Sequence, residues 1–243
     1  MNRIILLILI LFLIKSIFKT TENFVNKDIK YIYWTGGYDS TYAICNSLII
    51  GNKTVQPIYI TYNLDNSSLK KFWVRRNRKQ EINSMESIRK IINKKFPKLK
   101  KKLLPTWYVT KNIPNKNFTM WFDSENLFPN KRKVHQYEHL ARFAYINNIS
   151  IELGVLGIHE TSKFVKFLYQ NLIKTKNGDQ IIPFKHPLQK LCFPIFGKTK
   201  YQLLEIGKEN KFDDILKLTW SCWFPTKEGK PCTRCPMCLE RII

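Results

Sequence analysis

The sequence predicts an α/β fold: a parallel sheet covered on both faces by helices, followed by a small cysteine-rich C-terminal subdomain. Three observations lead there. Short β-branched and aromatic runs alternate with segments of helical period. A Gly-Gly turn interrupts the first such run immediately before a helix. Four of the six cysteines crowd into the last 22 residues.

Each element has its own signal. "KYIYWT" (30 to 35) reads as the first strand and "STYAICNSLI" (40 to 49) as the helix it feeds. "TVQPIYITYNL" (54 to 64) is a second strand. "RKQEINSMESIRKIINKKF" (78 to 96) places Ile82, Met85, Ile88, Ile91 and Ile92 on one helix face. "LLPTWYVT" (103 to 110) is a third strand, "VHQYEHLARFAYINN" (134 to 148) a helix, and "TKYQLLEIGKEN" (199 to 210) another. "ISIELGVLG" (149 to 157) is apolar on both faces, as a central parallel strand requires. The stretch 175 to 197, with Gly178, Pro183, Pro187 and Pro194, reads as an irregular connection. Trp107, Trp121 and Phe122 read as core residues. No internal repeat is present.

Composition narrows the function. The chain has 243 residues, 44% hydrophobic and 14% aromatic, enough to build a core rather than remain disordered. A formal charge of +23 suits anionic partners, nucleic acid among them. Lysines are nevertheless spread along the chain, with one dense run at "NKKFPKLKKKL" (93 to 103). The start, "MNRIILLILILFLIKSIFK", carries an apolar run from Ile4 to Ile14. At ~1.5 Å per residue it reaches ~16 Å against a hydrocarbon core of ~30 Å. Residues 1 to 22 are therefore expected to form a retained hydrophobic anchor, transmembrane or membrane-associating. The excess of lysines after the run is expected to place the rest of the chain on the cytoplasmic side. Residues 23 to 218 would form the nucleotide-binding domain and 219 to 243 the cysteine motif.

Thr35-Gly36-Gly37-Tyr38-Asp39-Ser40-Thr41 marks the candidate binding turn. In open parallel sheets ligands bind beyond the carboxyl ends of strands, where helix-start N–H groups favour an anion. Glycines let backbone N–H groups approach phosphate oxygens, and the Thr35, Ser40 and Thr41 hydroxyls could add donors. Asp39 repels phosphate directly, so it is assigned to Mg²⁺ or to a helix cap. A G-x-G-x-x-G fingerprint is absent, and Gly197-Lys198-Thr199 lacks the upstream glycine of a P-loop, position 192 being Cys192.

Cys232, Cys235 and Cys238 follow C-x2-C-x2-C, with Cys222 ten positions upstream of the first. Four thiolates so spaced can close a tetrahedron around Zn²⁺, a structural site with no open position. An iron–sulfur cluster is the chemical rival. His135, Glu138 and His139 have the order of an inverted zincin signature but show no further ligand. His159 and Glu160 follow the fourth strand and are read mainly as loop-surface polar residues.

The "TGGYDS" stretch resembles the SGGxDS motif of PP-loop ATP pyrophosphatases, with Thr35 in the serine position. "TWSCW…GKPCTRCPMCLER" is similar to the C-terminal zinc motif of the 7-cyano-7-deazaguanine synthases within that group. "RKQEI" (78 to 82) and "FGKTKYQLLEIGKEN" (196 to 210) resemble two of that family's helices. The resemblance runs from about residue 30 to 243 and is specific at its two ends. It implies a Rossmann-like, adenine nucleotide alpha hydrolase-like fold and a place in queuosine biosynthesis. It implies a ligase that uses ATP, Mg²⁺ and Zn²⁺ to activate a carboxylate on a deazapurine-like acid for attack by ammonia. Asp39 and Lys200, with Lys198 as the alternative to the latter, would be the catalytic residues. Thr35, Gly36, Gly37, Asp39, Ser40 and Thr41 would hold the nucleotide. The family's Tyr-Pro-Asp stretch is missing from "GVLGIHETSKFVKFLYQNL" (154 to 172), which leaves the substrate open. A PP-loop enzyme acting on RNA by thiolation or lysidine-type ligation, and a non-enzymatic membrane-tethered zinc module binding nucleic acid, are the competing readings. A homodimer is a further expected partner.

Overall fold

The computed structural model describes residues 29–60, 76–109, 136–157, 163–175, 180–183 and 186–241. Among the described residues seven strands form one sheet: β1 (Ile29–Tyr33), β2 (Thr54–Ile60), β3 (Trp107–Val109), β4 (Ile151–Glu152), β5 (Ile173–Lys174), β6 (Gln180–Ile181) and β7 (Leu191–Cys192). Their order is β3-β2-β1-β4-β7-β6-β5. The first five in that order are parallel, and β6 and β5 extend the edge antiparallel. The chain leaves β1 toward β2 on one side and returns to β4 on the other. That reversal beside β1 is the position at which doubly wound sheets hold ligands.

The helices are α1 (Tyr38–Cys45), α2 (Arg78–Lys95), α3 (Gln136–Ile146), α4 (Lys163–Asn171), α5 (Lys200–Glu209), α6 (Asp213–Lys217) and α7 (Pro236–Leu239). A π turn, Asn46–Ile50, prolongs α1, and a 3₁₀ turn, Pro97–Lys102, follows α2.

Strand alternation sorts the core into two layers. Tyr31, Tyr33, Ile58, Ile60, Ile151 and Leu153 face α3 and α4, packing on Leu140, Ala144, Phe164 and Leu168. Ile32, Trp34, Val55 and Tyr59 face the opposite way, against Ile44 and Leu48 of the α1 segment, Met85 and Ile88 of α2, and Leu203, Phe212 and Ile215. Pro57 lies in β2 between two neighbours, where a missing N–H breaks a ladder. The buried Gln56 amide spans the break, donating to the Pro57 carbonyl at 3.0 Å and the Pro105 carbonyl at 2.7 Å. Glu152 on β4 is also buried; the Ser47 hydroxyl donates to it at 3.2 Å and Lys30 pairs with it at 3.0 Å.

Several expectations change. The 175 to 197 stretch is not merely irregular: it supplies β6 and β7, and β7 completes the parallel set. Trp107 is not core, being 46% exposed on β3. Trp121 and Phe122 lie outside the described residues, as does the extension of β2 beyond Ile60. The membrane expectation is corrected: among the described residues no helix is long and apolar enough to cross a membrane. The transmembrane assignment and the anchored location are withdrawn on that finding. The apolar run from Ile4 to Ile14 lies outside the described residues.

The α3 layer predicts a pH dependence. His139 is buried, which pushes its imidazole from 6.5 down to about 4. Between those values the unfolded chain binds a proton that the folded chain refuses, so this contribution to stability is full above about 6.5 and falls as pH drops toward 4. Urea melts should show stability falling from pH 7 to pH 5, with a shallower slope for His139→Phe. Equal slopes for the two proteins would remove His139 as the cause.

Candidate functional site

The site is built where β1 ends. Gly36 has φ +69°, the left-handed region that favours glycine. A Cβ at this position would lie 2.8 Å from the Glu81 carbonyl oxygen and 3.1 Å from Ser84 Oγ, so α2 packs directly on the turn. Gly37 is the N-cap of α1, extended at φ −77° and ψ 165°. Ser40 closes the turn from within the helix: its hydroxyl donates to the Gly37 carbonyl at 3.2 Å and accepts from the Thr35 N–H at 3.3 Å. The Thr35 and Ser40 hydroxyls are also 3.3 Å apart. Thr35, Gly36, Gly37, Asp39 and Ser40 therefore share one turn at the start of α1.

Thr41 departs from that group. It is fully buried, and its hydroxyl accepts the Trp34 indole N–H at 3.0 Å. Its side chain supports the turn from the core side rather than offering a donor at the mouth.

Gly154 brings β4 against the same place. A Cβ there would lie 2.9 Å from the Asp39 carbonyl carbon and 3.0 Å from the Ser40 nitrogen. The turn thus sits in the crevice between β1 and β4. Asp39 is in the first turn of α1, half-buried, with aromatic hydroxyls around it. Burial, with Asp39's negative charge adding to it, pushes the Tyr38 and Tyr137 hydroxyls up to about 12. Both stay neutral donors at any working pH.

Lys200 opens α5, capped by Thr199 and Gln202 in a reciprocal capping box. Its backbone carbonyl accepts the Tyr38 hydroxyl at 3.4 Å, which puts the helix start on the Asp39 flank. Its ammonium, however, is held by Glu240, at 3.0 Å from the carbonyl oxygen and 3.6 Å from the carboxylate. Lys198 lies just before α5, half-buried.

The cysteines converge. The sulfurs of Cys222, Cys232, Cys235 and Cys238 lie within 4.8 Å of one another, and among the described residues no other group of three or more His, Cys, Asp or Glu side chains does so. Cys235 and Cys238 are 3.5 Å apart and Cys232 and Cys238 3.9 Å. A tetrahedron with Zn–S of ~2.3 Å has edges of ~3.8 Å, so the set fits a zinc-sized ion. N–H groups already aim at sulfur: Cys232 donates to Cys222 at 3.2 Å and Cys235 to Cys232 at 3.4 Å. The Arg234 N–H, helped by that of Cys235, draws the Cys232 thiol down to about 6, while burial pushes the Cys222 thiol up and that of Cys238 up to about 12, so a metal would have to displace protons from those two. Thr233, at φ +60°, bends the knuckle between the two cysteines.

Residues 161–242 match the family model described as queuosine biosynthesis protein QueC. The matched segment covers α4 to α7, with all four cysteines and Lys200, and bears out the resemblance seen in "TWSCW…GKPCTRCPMCLER". The QueC match ends short of the Gly-Gly turn, which rests on its own geometry. No curated protein matches the chain.

The other sequence candidates fall elsewhere. Glu138 is buried and ion-paired with Arg142 along α3, and His139 packs in the core, so neither is arranged for a metal; His135 lies outside the described residues. His159 and Glu160 also lie outside them.

Sequence reasoning missed the groups that hold the turn from behind. The Gly36 carbonyl accepts the Trp220 N–H at 2.9 Å and lies 3.0 Å from the Ser84 hydroxyl, which is also 2.9 Å from the Leu218 carbonyl. One signal was available. The buried stripe of α2 is Glu81, Ser84, Met85, Ile88 and Ile92, and its two polar members are out of place in a purely packing face. Glu81 takes the Tyr59 hydroxyl at 2.6 Å and the Asn77 amide at 3.1 Å.

Proposed function

We propose that the chain is an ATP-dependent carbon–nitrogen ligase of the 7-cyano-7-deazaguanine synthase type, forming AMP and pyrophosphate on a 7-deazapurine-like acid. One observation carries this reading. A left-handed Gly36 and an uncapped Gly37 open a helix in the crevice between β1 and β4, with Asp39 and Ser40 in the helix's first turn. The QueC match over α4 to α7 supports the choice of family. In this reading residues 23 to 218 bind the nucleotide and residues 219 to 243 form a zinc-binding subdomain.

The chemistry follows from leaving groups. A carboxylate oxygen is a poor leaving group at neutral pH. Its attack on the α-phosphorus of ATP expels pyrophosphate and leaves an acyl adenylate. Ammonia then displaces AMP, losing a proton, to give the amide. A second activation of the amide oxygen, followed by loss of AMP and a proton, gives the nitrile. The chain's part is placement and charge stabilisation. The N–H groups at Gly37 and the first turn of α1 meet phosphate oxygens, and Thr35 and Ser40 fix the turn's shape. Asp39 would hold Mg²⁺, which supplies charge neutralisation on the triphosphate. Lys200 would exchange Glu240 for the leaving pyrophosphate. The cysteines would hold Zn²⁺, which would serve structure.

The test is AMP formation from ATP with 7-carboxy-7-deazaguanine and ammonia. We expect turnover that needs the carboxylate, and a loss of about 10²-fold or more in Asp39→Ala, the scale of removing one preorganised electrostatic group. Carboxylate-independent turnover, or undiminished turnover in Asp39→Ala, would overturn the reading.

A further inference from the structure

We propose that the four-cysteine module sets the direction of the Gly36–Gly37 peptide and so aims the nucleotide turn, with Ser84 as the positioning residue that joins the two. The proposal rests on the nucleotide reading above only for the ligand that would feel the effect. The coupling itself stands on contacts within the chain.

The peptide unit is planar and trans, so a carbonyl and the following N–H point in opposite directions. Fixing the Gly36 oxygen therefore fixes the Gly37 N–H. Two donors converge on that oxygen. One is the Trp220 N–H at 2.9 Å, two residues before Cys222; the other is the Ser84 hydroxyl at 3.0 Å, whose single proton is shared with the Leu218 carbonyl at 2.9 Å. A left-handed glycine has little intrinsic preference for its own conformation, so the peptide stays put only if its surroundings hold it. Here the surroundings are α2 on one side and the lead-in to the cysteines on the other.

The module is fastened at both of its ends. At its entry, Trp220 donates its indole N–H to the Cys222 carbonyl at 2.7 Å, and the Thr219 hydroxyl donates to Leu216 at 2.7 Å. At its exit, Arg241 donates to the Thr219 carbonyl at 3.1 Å and the Lys217 carbonyl at 3.2 Å. The neighbouring Glu240 is gripped by Lys200. The Leu218 carbonyl that faces Ser84 belongs to the same entry strap. Metal held by the cysteines thus tightens a loop whose entry strap bonds directly to the turn.

This arrangement makes a reciprocal demand. If metal loading improves nucleotide binding by some factor, nucleotide must improve metal retention by the same factor. A metal site that merely closed its own loop would leave both unmoved.

The experiment uses the full chain and reads amide hydrogen exchange in peptides spanning residues 34 to 42, with Mg-ATP affinity measured alongside. Removing the metal with a chelator should speed exchange in that window, and restoring Zn²⁺ should reverse it. Ser84→Ala should keep its metal and the protection of β1, yet show faster exchange at 34 to 42 and a Kd for Mg-ATP raised roughly tenfold, the scale of one buried hydrogen bond. Unchanged exchange at 34 to 42 in both arms would overturn the proposal. A wild-type chain that fails to bind Mg-ATP would instead sink the nucleotide reading, and the exchange result would still decide this one.

Discussion

Cys222→Ser is expected to leave the purified chain without its metal and to unfold the segment from residue 219 to 241. That segment has almost no apolar core of its own. Its fully buried residues are Thr219, Cys222 and Cys235, and its one helix is the four-residue α7. Trp223 and Phe224 are about half exposed. So short a stretch cannot offset its ordering entropy by burial alone. The ion must supply the difference, and structural zinc is worth about 10–16 kcal/mol of apparent binding free energy in small peptides at neutral pH. Cys222 is the decisive ligand because it arrives from outside the C-x2-C-x2-C run and closes the largest loop. It also accepts the Cys232 N–H, so its loss removes a backbone contact as well. Metal content should fall from one ion per chain toward none, and trypsin should cut after Lys227 or Arg234, Lys230 being protected by the proline that follows it. A variant that kept one ion and resisted trypsin would refute the structural assignment. The wild-type protein should show no visible absorbance, since an iron–sulfur cluster would colour it.

Much of the scaffold could be read from local pattern, and the places where that reading failed have physical causes. α2 was evident because 18 residues carry one apolar stripe at helical spacing. β1 and its turn were evident because a strand of aromatic and β-branched residues stops at two glycines. β7 was hidden because only Leu191 and Cys192 pair, too few residues for a period to show. Nearby prolines pointed to irregular chain, yet Leu191 and Phe193 are fully buried. α4 was hidden although Phe164, Val165 and Leu168 form its buried face, because nine residues give an apolar stripe little more than two turns in which to show its period. In the site, residue types announced Gly36, Gly37 and the cysteines, since few other residues can do their work. Ser84 and Trp220 carry no such mark. Their role arises from contacts 48 and 134 positions away for Ser84, and from a main-chain N–H for Trp220. Thr41 shows the converse: a hydroxyl in the right motif turns inward because the buried Trp34 indole needs an acceptor.

Gly36→Ala should be among the most damaging single-atom changes in the chain, and two other glycines separate its causes. The left-handed backbone alone costs an alanine about 1–2 kcal/mol. Gly197, at φ +82° with nothing within 4 Å of an added Cβ, carries that cost by itself. Gly37, at φ −77° with its nearest contact at 3.3 Å on Thr35 Oγ1, carries no backbone cost and only a slight steric one. Gly36 carries both burdens, because the atom its Cβ would strike at 2.8 Å is the Glu81 backbone carbonyl, which cannot rotate away. Relief requires moving the first turn of α2, and Glu81 is pinned there by Tyr59 and Asn77. The expected order of stability loss is Gly36→Ala, then Gly197→Ala, then Gly37→Ala. The first should exceed the second by about 1–3 kcal/mol, the range for overpacking a filled site. Nucleotide affinity should follow a different order. Gly37→Ala leaves the fold intact but puts a methyl at the entrance to α1, so it should weaken Mg-ATP binding while Gly197→Ala does not. Urea midpoints and Mg-ATP titrations on the three variants would test both orders. If Gly36→Ala proved no less stable than Gly197→Ala, the close packing of α2 on the turn would be wrong, and with it the route by which Ser84 reaches the site.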